Sequence, residues 1–292
     1  MTRVFLLLLP LLTGMMPAIA QPSTPSPGVT FLPGKLLFCP AAANYQEPRV
    51  GVRKEVGSSR LKLDIGSSID LLGYRSDSAD ADLRLGIDFF TYALTTSSEG
   101  HRLQVDAVDG YFGGHVAFVS GTERRRPGLR LRILHQSGHL IDGHWDSGTG
   151  QWKDGKEPIP YTRNSVEVTG SCTWSGEALA FTAYAGVGYS ILVRPEDLAP
   201  WATLQGVELR TTGLVGPVFG KPFILYAADH LAVSGIPTYY GSNNLEWGAK
   251  FGPWEGTGIK LYASWYSGLD VFSQYYFVRR NGWGVGIAFD FW

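Results

Sequence analysis

His135 and Ser137 stand two positions apart in the sequence and have the side chains of a nucleophilic hydrolase. A serine hydroxyl becomes a nucleophile at neutral pH when an adjacent base accepts its proton, and histidine is the most common base. On a β-strand, residues i and i+2 project from one face about 6.6 Å apart, so their side chains can approach each other. A third polar group would then fix the imidazole tautomer. The spacing therefore predicts a nucleophile and its base, provided that this stretch is a strand.

Residues 128–139 have the period-two alternation of a β-strand. One face is apolar and then turns polar, and the other begins with two arginines: Leu129, Leu131, Ile133, His135, Ser137 and His139 against Arg130, Arg132, Leu134, Gln136 and Gly138. In a soluble sheet the apolar face would pack into a core. In a membrane barrel it would face lipid, and the arginines would face a wet lumen.

The composition is that of a folded chain rich in β structure. The chain has 292 residues, of which 44% are hydrophobic and 17% are charged, with a formal net charge of -1. These values exclude a disordered chain and give no basic excess for nucleic acid. Aromatic residues make up 13% of the chain, and there are 37 glycines, which together favour β structure over helix.

The amino terminus predicts export from the cytoplasm. Residues 1–20 have the form of a signal peptide, with Arg3 before an apolar run and a small-residue cleavage site at residues 18–20. We expect an irregular leader over residues 21–48 and the folded domain over residues 49–292. No second apolar run of about 18 residues follows, so a membrane form must be a closed barrel. Cys39 and Cys172 are the two cysteines, and the sequence leaves open a disulfide or two free thiols.

Between ten and twelve alternating segments separated by turns are visible, and the clearest covers residues 164–174. This pattern predicts an all-β, antiparallel transmembrane barrel of about 12 strands. One hairpin is ambiguous, because the segment that begins near residue 102 either continues past Gly113 and Gly114 or ends there. Soluble β-sandwiches also alternate, so a soluble periplasmic protein is the alternative fold.

The signal peptide, the alternating strands and the aromatic carboxyl terminus resemble Gram-negative outer-membrane proteins. The wider pattern also resembles a bacterial family known only as a domain of unknown function. That resemblance covers most of the mature chain and is carried by residues 47–49 (EPR), 85–88 (LGID), 135–142 (HQSGHLID) and 284–287 (GVGI).

A narrower resemblance concerns His135, Gln136 and Ser137, which match the His-x-Ser motif of outer membrane phospholipase A and the lipid A deacylases. In those families the pair lies on the lipid-facing wall near the cell-surface rim, and an Asn or Glu on the neighbouring strand orients the histidine. The resemblance implies Ser137 as nucleophile, His135 as base and Asn164 as the orienting group. It also implies membrane lipid esters as substrates. The motif departs from the phospholipase pattern at Gly138, where that family has Asn.

Two other interpretations compete with this hydrolase. The strand could leave the hydrocarbon near His135, so that its polar residues lie among lipid headgroups without a catalytic role. The protein would then be a structural or channel-type barrel, in which Arg130, Arg132, Arg163 and Glu167 form ion pairs across adjacent strands.

The long loop over residues 142–160 contains weak candidates for a metal site. Asp142, Asp146 and Asp154 could hold calcium, which the phospholipase resemblance implies, but they lack the regular spacing of a calcium-binding loop. His139 and His144 with Asp142 match no strong zinc pattern.

Overall fold

A computed structural model describes residues 28–76, 81–98 and 102–292. The predicted signal peptide and residues 21–27 of the leader lie outside these ranges. The described chain forms fifteen β-strands and three single-turn 3-10 helices. The strands are β1 Gly28–Phe31, β2 Val50–Glu55, β3 Leu61–Arg75, β4 Asp82–Ser98, β5 Arg102–Val119, β6 Arg125–Leu140, β7 Trp145–Asp146, β8 Gln151–Trp152, β9 Tyr161–Ser175, β10 Leu179–Arg194, β11 Trp201–Thr211, β12 Phe223–Ile236, β13 Thr238–Phe251, β14 Gly258–Leu269 and β15 Arg279–Asp290. The 3-10 helices are Asp142–His144, Lys153–Gly155 and Ser273–Tyr275.

Twelve of these strands form one closed antiparallel wall. From β2 to β6 and from β9 to β15, each strand pairs with the next, and β6 pairs with β9. The ring closes where β15 pairs with β2, from Phe289 opposite Val50 to Gly284 opposite Glu55. Strands β7 and β8 form a separate small hairpin in the β6–β9 connection. The predicted all-β antiparallel barrel of about 12 strands is confirmed, and β5 runs without a break through Gly113 and Gly114.

The two faces of the wall have the polarity that alternation predicts. Ile133 on β6 is 59% exposed on the outside, whereas Arg130 and Arg132 on the inward face are 4% and 2% exposed. The twelve strands close into one ring rather than two stacked sheets, so the β-sandwich alternative is wrong. Within the described ranges, no helix is long and apolar enough to cross a bilayer.

Residues 32–49, which we call the inner segment, connect β1 to β2, and residues 36–49 of this segment are buried or half-buried inside the barrel. Strands β1 and β2 pair with the same edge of β3, at residues 72–75 and 61–64 respectively, and the intervening chain leaves the wall. The Ala42 amide donates to Glu208 on β11 over 2.6 Å, and Asn244 on β13 donates to the Ala43 carbonyl over 2.7 Å. Arg49 forms an ion pair with Glu246 at 3.0 Å. The inner segment therefore occupies part of the lumen and is fixed there by contacts to β11 and β13.

The end of the barrel with the β6–β9 and β14–β15 connections, which we call the loop rim, is folded inward. Phe272 is buried against Tyr92. The Ser273 amide donates to Asp109 over 3.1 Å, and Gln274 donates to the Gly138 carbonyl over 2.8 Å. These contacts hold the β14–β15 connection across the lumen.

Candidate functional site

The register between β6 and β9 brings the predicted base and its orienting group together. His135 lies directly opposite Asn164, and both are half-buried on the outer wall. The His135 Nδ1 and Asn164 Oδ1 atoms are 2.6 Å apart. Because an amide oxygen can only accept, Nδ1 carries the proton in this contact. The lone pair of the imidazole is then on Nε2, which is the tautomer that a general base requires.

The His135 ring is held from its other side by β5. Phe112 lies opposite His135 in the β5–β6 register, and the two ring centroids are 4.7 Å apart with the planes inclined by 39°. The imidazole therefore packs between an aromatic ring and an amide from the two neighbouring strands. This packing limits the rotation of the side chain.

Ser137 stands one step nearer the loop rim on the same face. It is half-buried, and its register partners are Gly110 on β5 and Thr162 on β9. A Cβ atom on Gly110 would lie 3.7 Å from the Ser137 hydroxyl, so the glycine leaves the wall open beside that oxygen. Among the described residues, no hydrogen bond joins the Ser137 hydroxyl to His135. Ser137 and His135 therefore share a face of β6 without being directly hydrogen-bonded in this structure.

The predicted calcium candidates are separated along the β6–β9 connection. Asp142 begins a 3-10 helix, Asp146 lies in the small hairpin, and Asp154 lies in the next 3-10 helix. The Gly148 amide donates to Asp146 over 2.9 Å and holds the pKa of that carboxyl below its ordinary value. Within the part of the chain that the structure describes, no group of three or more His, Cys, Asp or Glu side chains is arranged to hold a metal.

Directly behind the site, the lumen contains a cluster of ion pairs around Glu47 of the inner segment. Arg130 donates to both Glu47 carboxylate oxygens, and Arg132 Nη1 lies 3.1 Å from Glu47 Oε2. Glu167 on β9 lies 3.1 Å from Arg132 Nη2. The cross-strand ion pairs predicted for Arg130, Arg132 and Glu167 are present. Arg163 instead donates to the Ser190 hydroxyl over 2.9 Å.

Sequence reasoning missed the role of Glu47, because this residue lies in a segment without periodicity. One signal was available in the sequence. Arg130 and Arg132 on β6 face a single glutamate, Glu167, on β9, so the two arginines needed a second carboxylate from elsewhere in the chain. A second lumen group was also missed: His115 lies between Asp70 and Asp88, with nitrogen to oxygen distances of 2.9 and 3.1 Å.

The two cysteines lie on opposite sides of the wall. Cys172 is on β9, in phase with Asn164 on the outer face, whereas Cys39 belongs to the inner segment. Both are free thiols.

Comparison with solved structures gives matches to other barrels at low identity. The toluene transporter TodX of Pseudomonas putida is 10% identical, with a TM-score of 0.42 over 80% of this chain and 69% of that one. Outer membrane phospholipase A of Escherichia coli is 12% identical, with a TM-score of 0.46 over 80% and 79%. The β domain of the Bordetella autotransporter BrkA is 14% identical, with a TM-score of 0.44 over 82% and 97%. Matches at this level say nothing about activity.

No protein-family model matches the chain, and no curated protein matches it in sequence. The resemblance to a family of unknown function and the His-x-Ser resemblance therefore stay predictions.

Proposed function

We propose that this protein spans the outer membrane of a Gram-negative bacterium and hydrolyses acyl esters of membrane lipids. The membrane location is supported by the outward apolar face, where residues such as Ile65, Phe89 and Ile133 are 57%, 68% and 59% exposed. Water would disfavour so much exposed apolar surface, whereas hydrocarbon accommodates it. The extracellular loops of such barrels are longer than their periplasmic turns. The loop rim carries the longest connection, from Leu140 at the end of β6 to Tyr161 at the start of β9, and therefore faces the cell surface in this proposal.

The observation that carries the enzymatic proposal is the 2.6 Å contact between His135 and Asn164 on the lipid-facing wall. Polar side chains are disfavoured on that wall, and the cost is largest far from the interfaces. Catalysis would explain these polar side chains, because His135 is held in the tautomer of a general base and Ser137 lies two residues further along the strand. In this proposal Ser137 is the nucleophile, His135 the base and Asn164 the orienting residue.

The chemistry would proceed through an acyl-enzyme. A lipid ester reaches the wall laterally, and the Ser137 oxygen attacks its carbonyl carbon while His135 Nε2 takes the hydroxyl proton. The resulting imidazolium keeps its Nδ1 hydrogen bond to Asn164 and gives the new proton to the departing alcohol oxygen. Water, deprotonated by His135, then attacks the acyl-serine and releases the fatty acid with regeneration of the serine hydroxyl.

The competing function is a non-enzymatic barrel. Within the described chain, no hydrogen bond joins Ser137 to His135. This observation favours a purely structural barrel over an enzyme. A channel is less favoured, because the inner segment and the β14–β15 connection both cross the lumen.

The test is the Ser137→Ala variant, assayed as purified full-length protein on phospholipid and on lipid A in detergent micelles. Loss of the nucleophile should lower the rate by a factor on the order of a thousand or more. The matched control is Ser67→Ala, because Ser67 also lies between exposed apolar residues on the outer face, at β3. Each assay is run with calcium chloride and with a chelator, since calcium is implied by resemblance.

Activity in the wild type that Ser137→Ala loses and Ser67→Ala keeps would support the proposal. Circular dichroism would establish that all three proteins contain the same β structure. A wild type that releases no fatty acid from either lipid would reject the proposal, as would a Ser137→Ala variant with unchanged activity.

A further inference from the structure

A cavity of about 70 Å³ lies inside the barrel between the inner segment, strands β2 and β14, and the β14–β15 connection. On this measure one water molecule needs on the order of 10–15 Å³, so the cavity has room for a small polyatomic solute. Five basic and five acidic side chains line it: Arg49, Arg53, Arg60, Lys62 and Arg280 with Glu47, Glu55, Asp64, Glu246 and Asp270.

Four of the five cations have a carboxylate partner. Arg49 pairs with Glu246. Lys62 pairs with Asp64. Arg60 and Arg280 share Asp270, at 2.7 and 3.0 Å. The carboxylate of Glu47 is bound by two arginines of β6 that do not line this cavity.

Arg53 is the exception. Its Nε donates to the Ser264 hydroxyl over 2.7 Å, and within the described ranges no carboxylate oxygen lies within 4.0 Å of its guanidinium. A half-buried guanidinium whose nearest carboxylates lie beyond ion-pair distance loses part of its hydration and gains no contact ion pair in return. Its two terminal nitrogens retain donors that can form a forked contact with an oxyanion.

Tyr262, beside Arg53, supplies a second group without a partner. This residue is only 5% exposed and lines the same cavity, and no group in the described part of the chain forms a hydrogen bond with its hydroxyl. Both side chains lie against glycines of β15. A Cβ on Gly284 would be 2.4 Å from Arg53 Nε, and a Cβ on Gly286 would be 2.3 Å from the Tyr262 ring. The wall therefore has room for these two side chains because β15 has glycine at both positions.

We propose that this cavity binds a small oxyanion, a carboxylate or phosphate group, through the Arg53 guanidinium and the Tyr262 hydroxyl. The guanidinium supplies charge and a planar pair of donors, and the phenol supplies one further donor. The carboxylates that line the cavity are paired with other cations, including Glu55 with Arg60 at 3.5 Å, and among the described residues none of them lies within 4.0 Å of the Arg53 guanidinium. The site is independent of the outer-wall hydrolase, because its residues lie on the opposite face of the wall and on other strands.

The experiment is isothermal titration calorimetry on the full-length protein in a neutral detergent at low salt. The probes are inorganic phosphate, acetate and dihexanoyl phosphatidic acid. At least one should bind the wild type, and Arg53→Gln should weaken that binding at least tenfold. Tyr262→Phe, which removes only the hydroxyl and keeps the ring, should weaken it about two- to tenfold. Arg194→Gln is the matched control, because Arg194 is an exposed arginine paired with Glu196 outside the cavity.

The probes distinguish the sources of the anion. Binding of phosphate or acetate identifies a free solute, whereas binding of phosphatidic acid alone identifies a lipid headgroup that enters from the rim. The proposal is overturned if no probe binds the wild type, or if Arg53→Gln and Tyr262→Phe bind as tightly as Arg194→Gln.

Discussion

The polar side chains on the two faces of β6 differ in their hydrogen-bond partners and in their exposure. On the inward face, Arg130 and Arg132 share two carboxylates, and Gln136 donates to Asp109 and Ser273. On the outward face, His135 has a hydrogen-bond partner on Nδ1 alone among the described residues. Unused hydrogen-bonding capacity exists on both faces, because the Nε atoms of Arg130 and Arg132 have no partner in the described chain either. The two faces differ in access: these two atoms are buried in the lumen, whereas the His135 side chain is half-buried on the outer wall. A candidate functional residue in a barrel therefore needs unused hydrogen-bonding capacity that a ligand can reach.

The largest expected effect is on the inward face, at Glu47. Replacing it in Glu47→Gln leaves Glu167 as the one carboxylate within 4.0 Å of Arg130 and Arg132 among the described residues. Breaking a buried pair in this way costs about 3–5 kcal/mol. The free energy of unfolding should fall by that amount in urea titrations of the protein in lipid vesicles.

The control for Glu47→Gln is Glu255→Gln. Glu255 pairs with Arg126 near the surface, where side-chain exposures are 43% and 34%. Losing an exposed pair should cost less than about 1 kcal/mol. Equal costs for the two variants would mean that lumen water already screens the arginines of β6.

A smaller loss is expected on the outward face, from Ile133→Arg. Ile133 lies in the middle of β6, where an arginine facing lipid costs about 2–4 kcal/mol. His139→Arg places the same charge on the same face near the loop rim, where the cost is about 0–1 kcal/mol. The measurement is the difference in unfolding free energy between the two variants in vesicles. Equal values would contradict the placement of this face in hydrocarbon.

Among the three test variants Glu47→Gln, Ile133→Arg and Asn164→Ala, the smallest change in stability is expected for Asn164→Ala. Removing one hydrogen bond costs about 0.5–1.5 kcal/mol, and this one is partly exposed. If Asn164 positions His135, the hydrolytic rate should nevertheless fall by at least about tenfold, since the ring loses its fixed tautomer. Asn164→Asp, which keeps an acceptor opposite Nδ1, should restore activity and move the pH–rate profile.

Different results for Asn164 would assign it another role. A stability loss above about 3 kcal/mol exceeds what one hydrogen bond supplies, and would identify Asn164 as a structural residue of the wall. An unchanged rate in Asn164→Ala would remove it from the proposed site.

Much of the barrel wall could be predicted, because the alternation of outward and inward side chains depends only on consecutive residues of one strand. Each strand alternates between two solvents, so the faces of β6 and β9 follow from residues 128–139 and 164–174 alone. The contact between His135 and Asn164 required one more inference, that the two strands are adjacent with these residues in register, and the His-x-Ser resemblance supplied it. The ambiguity at Gly113 and Gly114 arose because glycines weaken a strand signal without ending the strand.

The contents of the lumen could not be predicted, for the opposite reason. The inner segment has no periodic pattern, and its partners are distant in sequence, as with Glu47 and Arg130. Such contacts depend on barrel diameter and on strand tilt, which the alternation of a single strand does not encode. The sequence also could not show that Arg53 forms no ion pair within 4.0 Å among the described residues. That property depends on which carboxylates pair with the other cations of the cavity.

The position of the inner segment also links the lumen to the closure of the wall. The residues immediately after it form β2, the strand that meets β15 to complete the ring. The segment that occupies the lumen is therefore joined without a linker to the seam that closes the wall. Arg49, which pairs with Glu246 inside the barrel, directly precedes Val50, the first residue of the seam. A shift of β2 along β15 would consequently move the lumen contacts of Arg49 as well as the wall.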